Sequence, residues 1–186
     1  MPMDEILLDC EEKMESAVSY LRGELRGVRT GRASAGLVDH LKVDYYGSPT
    51  DLRQLASIAV PEPTMIMIKP FDPSSVKDIE KAILAANIGM TPMVDGKLIR
   101  LNVPALSTER REQLAGQIRK TGESTRVVIR NARRDANKVI EREQKEGLIA
   151  EDDAEKGKED IQDLTKKYEG LVTSILEAKT EEIMEA

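Results

Sequence analysis

Between Leu106 and about Gln144, apolar or small residues fall at Leu114, Ile118, Thr121 or Gly122, Thr125, Val128, Ala132, Ala136 and Val139. Steps of three and four over that length predict one long helix with a narrow seam, laid lengthwise in a bundle. The segment from Asp4 to Arg29 carries a heptad-like version of the pattern at Leu7, Cys10, Met14, Ala17, Leu21 and Val28, with Leu25 slightly off register. A third helix shows the cleanest seam, at Ile161, Leu164, Tyr168, Leu171, Ile175, Ala178 and Glu182 or Ile183. Ser107 or Thr108 is placed to cap the long helix and Gly147 to end it. The short connection Leu148–Asp152 then turns the third helix back antiparallel to the second.

After the first helix the period changes. Leu37 to Tyr46 alternates and is β-branched, and Tyr45-Tyr46-Gly47-Ser48-Pro49 ends it in a turn signal. Leu55–Val60 and Met65–Lys69 read as short strands, and Pro73–Asn87 as a short amphipathic helix with Val76, Ile79, Ile83 and Leu84 on one face. Ile88–Val94 and Leu98–Val103 follow as strands joined through Asp95-Gly96, a hairpin signal. The expected class is therefore α+β: an elongated antiparallel three-helix bundle (residues 1–30 and 106–186) with a small inserted, mostly β, α/β module (31–105). Two covalent connections, Thr30-Gly31-Arg32 and Val103-Pro104-Ala105, are expected to form a hinge, with Gly31 and Pro104 setting its geometry.

Composition narrows the chemistry. The 186 residues are 33% charged and only 3% aromatic, with no Trp, which argues against a stacking platform for unpaired bases. A formal net charge of −6 argues against a general nucleic-acid binder, so any such binding must come from a local patch. The long helix supplies one: Arg119, Arg126, Arg130, Arg133 and Asn137 recur at steps of seven, four, three and four, with Lys120 and Arg134 alongside. Arg22, Arg26 and Arg29 gather at the end of the first helix, whereas the third helix and its approach are acidic. Arginine's planar fork suits bidentate phosphate contact, so the stripe points to structured RNA recognised by backbone and shape. The guanidinium groups must then share one flank and not be locked onto the third helix's carboxylates.

No catalytic constellation is legible. Cys10 and His40 are the only cysteine and histidine and fall on different modules, and neither a metal-ligand spacing nor a glycine-rich phosphate loop is present. No catalytic residue, metal or cofactor is expected. The lone cysteine fits a reducing compartment, the acidic N-terminus does not read as a signal peptide, and no apolar run is long enough for a membrane span. A cytoplasmic protein follows. The competing classes are a protein–protein adaptor working through the acidic face, and a hydrolase using His40.

Four strings in order carry a resemblance: RTGRAS at Arg29–Ser34, VDYYGSPTDLRQLASI at Val43–Ile58, KPFD at Lys69–Asp72 and RNARRDAN at Arg130–Asn137. Together they resemble the bacterial ribosome recycling factor family over essentially the whole chain. One departure is Ala150, where that pattern often has a helix-capping Ser. The resemblance implies an L-shaped, monomeric protein that binds the post-termination ribosome through large-subunit ribosomal RNA. Acting with elongation factor G and its GTP, it would promote subunit dissociation and release of mRNA and tRNA, with no DNA or membrane partner. Carried over by motif, the RNA-binding arginines would be Arg29 and Arg32, and Arg130 and Arg133; Arg126 and Arg134 are added from the stripe.

Overall fold

A computed structural model describes residues 1–185. The chain divides into two compact units, one of residues 1–25 with 113–181, the other of residues 26–112 with 182–186. The divisions at 112/113 and 181/182 fall inside continuous helices.

The first unit is built on three helices, α1 (Met3–Arg26), α4 (Thr108–Lys145) and α5 (Glu151–Glu185). Acids in the first turn of each oppose the partial positive charge of a helix start. Ser107 caps α4, its Oγ accepting from the Arg110 N–H at 3.2 Å. Gly147, at φ 72°, closes α4 with paired bonds from Leu148 N to Glu143 O (2.9 Å) and from Gly147 N to Gln144 O (3.0 Å). That is the left-handed cap expected of glycine, and it reverses the chain into α5 within five residues. Cross-links set the directions. Cys10 Sγ donates to Ala132 O (3.7 Å) and the Met1 ammonium meets Glu143 (2.6 Å), so α1 and α4 are antiparallel. Tyr168 donates to Glu11 (3.1 Å), and a Cβ at Gly157 would run into Met3, so α1 and α5 are parallel.

The buried stripes differ in detail from the expected seams. On α1 they are Ile6, Cys10, Met14, Val18, Leu21 and Leu25, with Leu7 and Ala17 only half-buried, as is Val28 beyond the helix end. On α4, Ile129 and Ile140 are fully buried, whereas Val128 is exposed and Val139 half-buried. On α5, Thr165, Val172 and Leu176 replace Leu164, Leu171 and Ile175. Each replacement is a sequence neighbour, about 100° round the helix. A helix wedged between two others buries the arc facing both, and on α4 that arc advances at about 3.6 residues per turn, without a heptad's drift.

The second unit holds β1 (Lys42–Tyr45), β2 (Ser48–Asp51), α2 (Leu52–Leu55), β3 (Ala56–Glu62), β4 (Met65–Pro70), α3 (Val76–Ala86), β5 (Pro92–Asp95) and β6 (Leu98–Asn102). β1 and β2 form a hairpin through Tyr46 (φ 50°) and Gly47 (φ 79°), the two left-handed residues a tight turn demands. The other strands form an antiparallel sheet in the order β3-β4-β6-β5. Alternation buries Ile66 and Ile68 of β4 and Ile99 and Leu101 of β6 in one core with Val43, Leu52, Ile79 and Ile83. Full burial of each such side chain is worth about 1.5–3 kcal/mol. Four expectations are corrected. Ser48–Asp51 is a strand, Leu55 closes a helical turn, β5 begins at Pro92, and Leu84 is exposed. α1 also ends at Arg26, ahead of Gly27, so Arg29 is not helical.

Candidate nucleic-acid interface

The arginine stripe of α4 lies on the flank of that helix next to α5. Arg126, Arg130 and Arg133 occupy a sector of about 60° at 100° per residue, beside the buried arc centred on Thr125, Ile129 and Ala136. Their partners on α5 step along it in reverse order, as antiparallel helices require. Arg126 Nη2 donates to Thr173 Oγ1 (2.9 Å), Arg130 Nε to Glu169 Oε1 (3.3 Å) and Arg133 Nη1 to Gln162 Oε1 (3.4 Å). Glu123, one turn back on α4, bridges Arg130 Nη1 (3.1 Å) and Arg126 Nη1 (3.6 Å). Arg134 is exposed and, among the described residues, makes no hydrogen bond or ion pair.

The flank is thus gathered and only partly engaged. Of Arg126, Arg130, Arg133 and Arg134, one meets a carboxylate of α5, and the other two α5 partners are neutral. Each guanidinium has five N–H donors and these contacts use one or two. Ion pairs this open to water are worth about 0–1 kcal/mol, so an incoming phosphate displaces them at little cost. Sequence spacing identified the arginines but missed Glu169, which meets Arg130 only when α5 folds back. Glu123 was visible as the one acid inside the stripe.

In the second unit, Arg32 is exposed and pairs with Glu185 at 3.4 Å. Arg29 is half-buried, its Nε without an acceptor, and its guanidinium fills the space a Cβ at Gly89 would need. Of the residues expected to flex, Thr30, Gly31 and Val103 are buried, and Gly31 has φ 78°. Ala33 N bonds Pro63 O (2.6 Å) and Val103 N bonds Thr64 O (2.7 Å), while Pro104 and Ala105 are exposed and outside any helix or strand.

The Cys10 thiol is buried, and burial pushes its pKa up, keeping it a protonated core group. His40 is exposed beside Asp39 (3.4 Å). Among the described residues no three His, Cys, Asp or Glu side chains converge as metal ligands, and no helix is long and apolar enough to cross a membrane.

The model of the family described as ribosome recycling factor matches residues 21–184. The chain belongs to the ribosome recycling factor family. The ribosome-recycling factor of Natranaerobius thermophilus is 46% identical over 181 residues, 97% of this chain and 98% of that one. A solution structure of a ribosome recycling factor covers all of this chain and 99% of its own at 40% identity, with a TM-score of 0.84. A T. thermophilus ribosome recycling factor, described together with E. coli elongation factor G as bound to the E. coli post-termination complex, aligns at 34% identity and TM-score 0.71. That alignment covers 98% of this chain and 99% of the other. RTGRAS and RNARRDAN, two of the strings that carried the resemblance, fall within the matched residues.

Proposed function

We propose that this ribosome recycling factor binds the post-termination ribosome by laying the arginine flank of α4 on large-subunit ribosomal RNA. With elongation factor G and GTP it promotes subunit dissociation and the release of mRNA and tRNA. The observation that carries this is the gathering of Arg126, Arg130 and Arg133 on one flank of a chain whose net charge is −6. Arg134, and Arg29 and Arg32 of the second unit, complete the proposed contact set. The protein supplies position and charge, and the partner's GTP hydrolysis supplies the free energy. The segments Thr30–Arg32 and Val103–Ala105 are proposed as the joint, with Pro104–Ala105 its least constrained part.

Co-sedimentation with ribosomes across a salt series tests this. About six phosphate contacts give a log–log slope of roughly −4 to −5. Arg133→Ala should weaken binding and lessen the slope by about one while leaving thermal stability within about 0.5 kcal/mol. Unchanged affinity and slope in that variant would sink the proposed contact.

A further inference from the structure

The flank of α4 turned away from the arginines borders an open trough shared with α1, with a cavity volume of about 890 Å³. Its ends are marked by Asp9 and Asp135 and by Glu24 and Lys120, so it follows about four helical turns, or roughly 22 Å. Small residues make the floor: Ala17, Thr121, Ser124, Thr125 and Ala132. Two large apolar side chains stand unpartnered on it, Tyr20 (69% exposed) and Val128 (48% exposed). A floor of small residues admits another helix at close interaxial distance, and a three-helix bundle takes a fourth along such a seam. The trough's length and openness suit a helix better than a small molecule.

The charge of the rim selects the occupant. Asp9, Glu12, Glu24 and Asp135 border the trough, against Lys13 and Lys120. Lys13 is held by Asp9 at 2.7 Å, with the Asp135 carboxylate adding to its hold. That leaves Lys120 as the one lining cation without an ion pair among the described residues. A polyanion would meet uncompensated carboxylates here, whereas a helix with lysines or arginines beside its apolar stripe would satisfy them. We propose that the α1–α4 trough is a docking site for a basic amphipathic helix of a protein partner, seated on Tyr20 and Val128. The molecule then has two working faces of opposite charge preference, and this second face does not depend on the RNA contact proposed above.

The test titrates the whole 186-residue chain, followed by amide NMR shifts, with a synthetic amphipathic peptide of about 16 residues. One peptide carries a leucine–alanine stripe flanked by lysines, and its control has glutamates in their place. A short A-form RNA duplex forms a third arm. The lysine peptide should shift Tyr20, Ser124 and Val128 saturably, and the glutamate peptide should bind at least tenfold more weakly. Tyr20→Ala and Val128→Asp should each weaken binding tenfold or more with an unchanged circular dichroism spectrum, both side chains being exposed. Absence of shifts at millimolar lysine peptide overturns the proposal, as do equal affinities for the two peptides or shifts confined to α5. Trough shifts caused by RNA would name RNA as the occupant, and concentration-dependent self-association through Tyr20 and Val128 would name a second copy. Failure of the RNA arm alone counts against the RNA contact and leaves the trough standing.

Discussion

The two flanks of α4 share one backbone and one buried arc, yet they present opposite chemistry. Towards α5 stand Arg126, Arg130 and Arg133, each steered by a hydrogen bond across the helix pair. Towards α1 the same turns show Thr121, Ser124 and Val128, bordered by carboxylates. A net charge of −6 describes neither flank. A polyanion responds to the potential within about a Debye length, roughly 8–10 Å, so it feels whichever side it approaches. A helical residue chooses between these sides and the core by a step of about 100°, which makes one-residue changes the sharpest probes of the difference.

The largest expected effect separates core from flank at adjacent positions. Ile129 is 0% exposed and Val128 48%. Ile129→Ala should destabilise the protein by about 2–5 kcal/mol, since a deleted buried side chain leaves a cavity. Val128→Ala should stay within about 0.5 kcal/mol. Chemical denaturation of both variants measures this, and comparable losses would mean that the buried arc is centred elsewhere.

That pair also shows what could be read from sequence. The helices, their order, their caps at Ser107 and Gly147 and the hairpin at Asp95-Gly96 were legible, because each rests on local chemistry or on a period repeated over many turns. The choice between Val128 and Ile129, or Leu171 and Val172, was not. Both members of each pair are apolar, so spacing fits either, and the arc is decided by two neighbouring helices that the pattern does not describe. β2 was missed because Ser48-Pro49-Thr50-Asp51 carries turn chemistry and pairs with β1 only through the Tyr46-Gly47 reversal. The arginines of the candidate site were visible as a stripe on one helix. The groups that steer them, Thr173, Glu169 and Gln162, lie 29 to 47 residues further along the chain.

The next effect bears on the arginine flank itself. Arg130→Glu with Arg133→Glu replaces two of the proposed charge-assisted phosphate contacts, each worth about 1.5–3 kcal/mol, by repulsion. Large-subunit affinity at low salt should fall at least about a hundredfold, and stability should change by about 1 kcal/mol or less. Binding of the lysine-flanked peptide to the opposite trough should be unaltered. A parallel loss of peptide binding would mean that the two flanks are not independent.

The smallest effect, and the most discriminating, concerns Glu123. Its carboxylate is exposed, 3.1 Å from Arg130 Nη1 and 3.6 Å from Arg126 Nη1, so it occupies donors that a phosphate would use. If it only competes, Glu123→Gln removes one negative charge from the flank, and RNA affinity should rise a few-fold at low salt. That gain should shrink as salt screens the charge. If instead it holds the two guanidinium planes in the orientation that a phosphate needs, the same variant should bind more weakly, because the lost pre-organisation must be restored on binding. The stability change is within about 1 kcal/mol either way, so denaturation cannot separate the cases. Salt-dependent affinity can. A rise is expected, since a pair this open to water restrains its partners weakly, and Glu169 and Thr173 still steer Arg130 and Arg126 after Glu123 is neutralised.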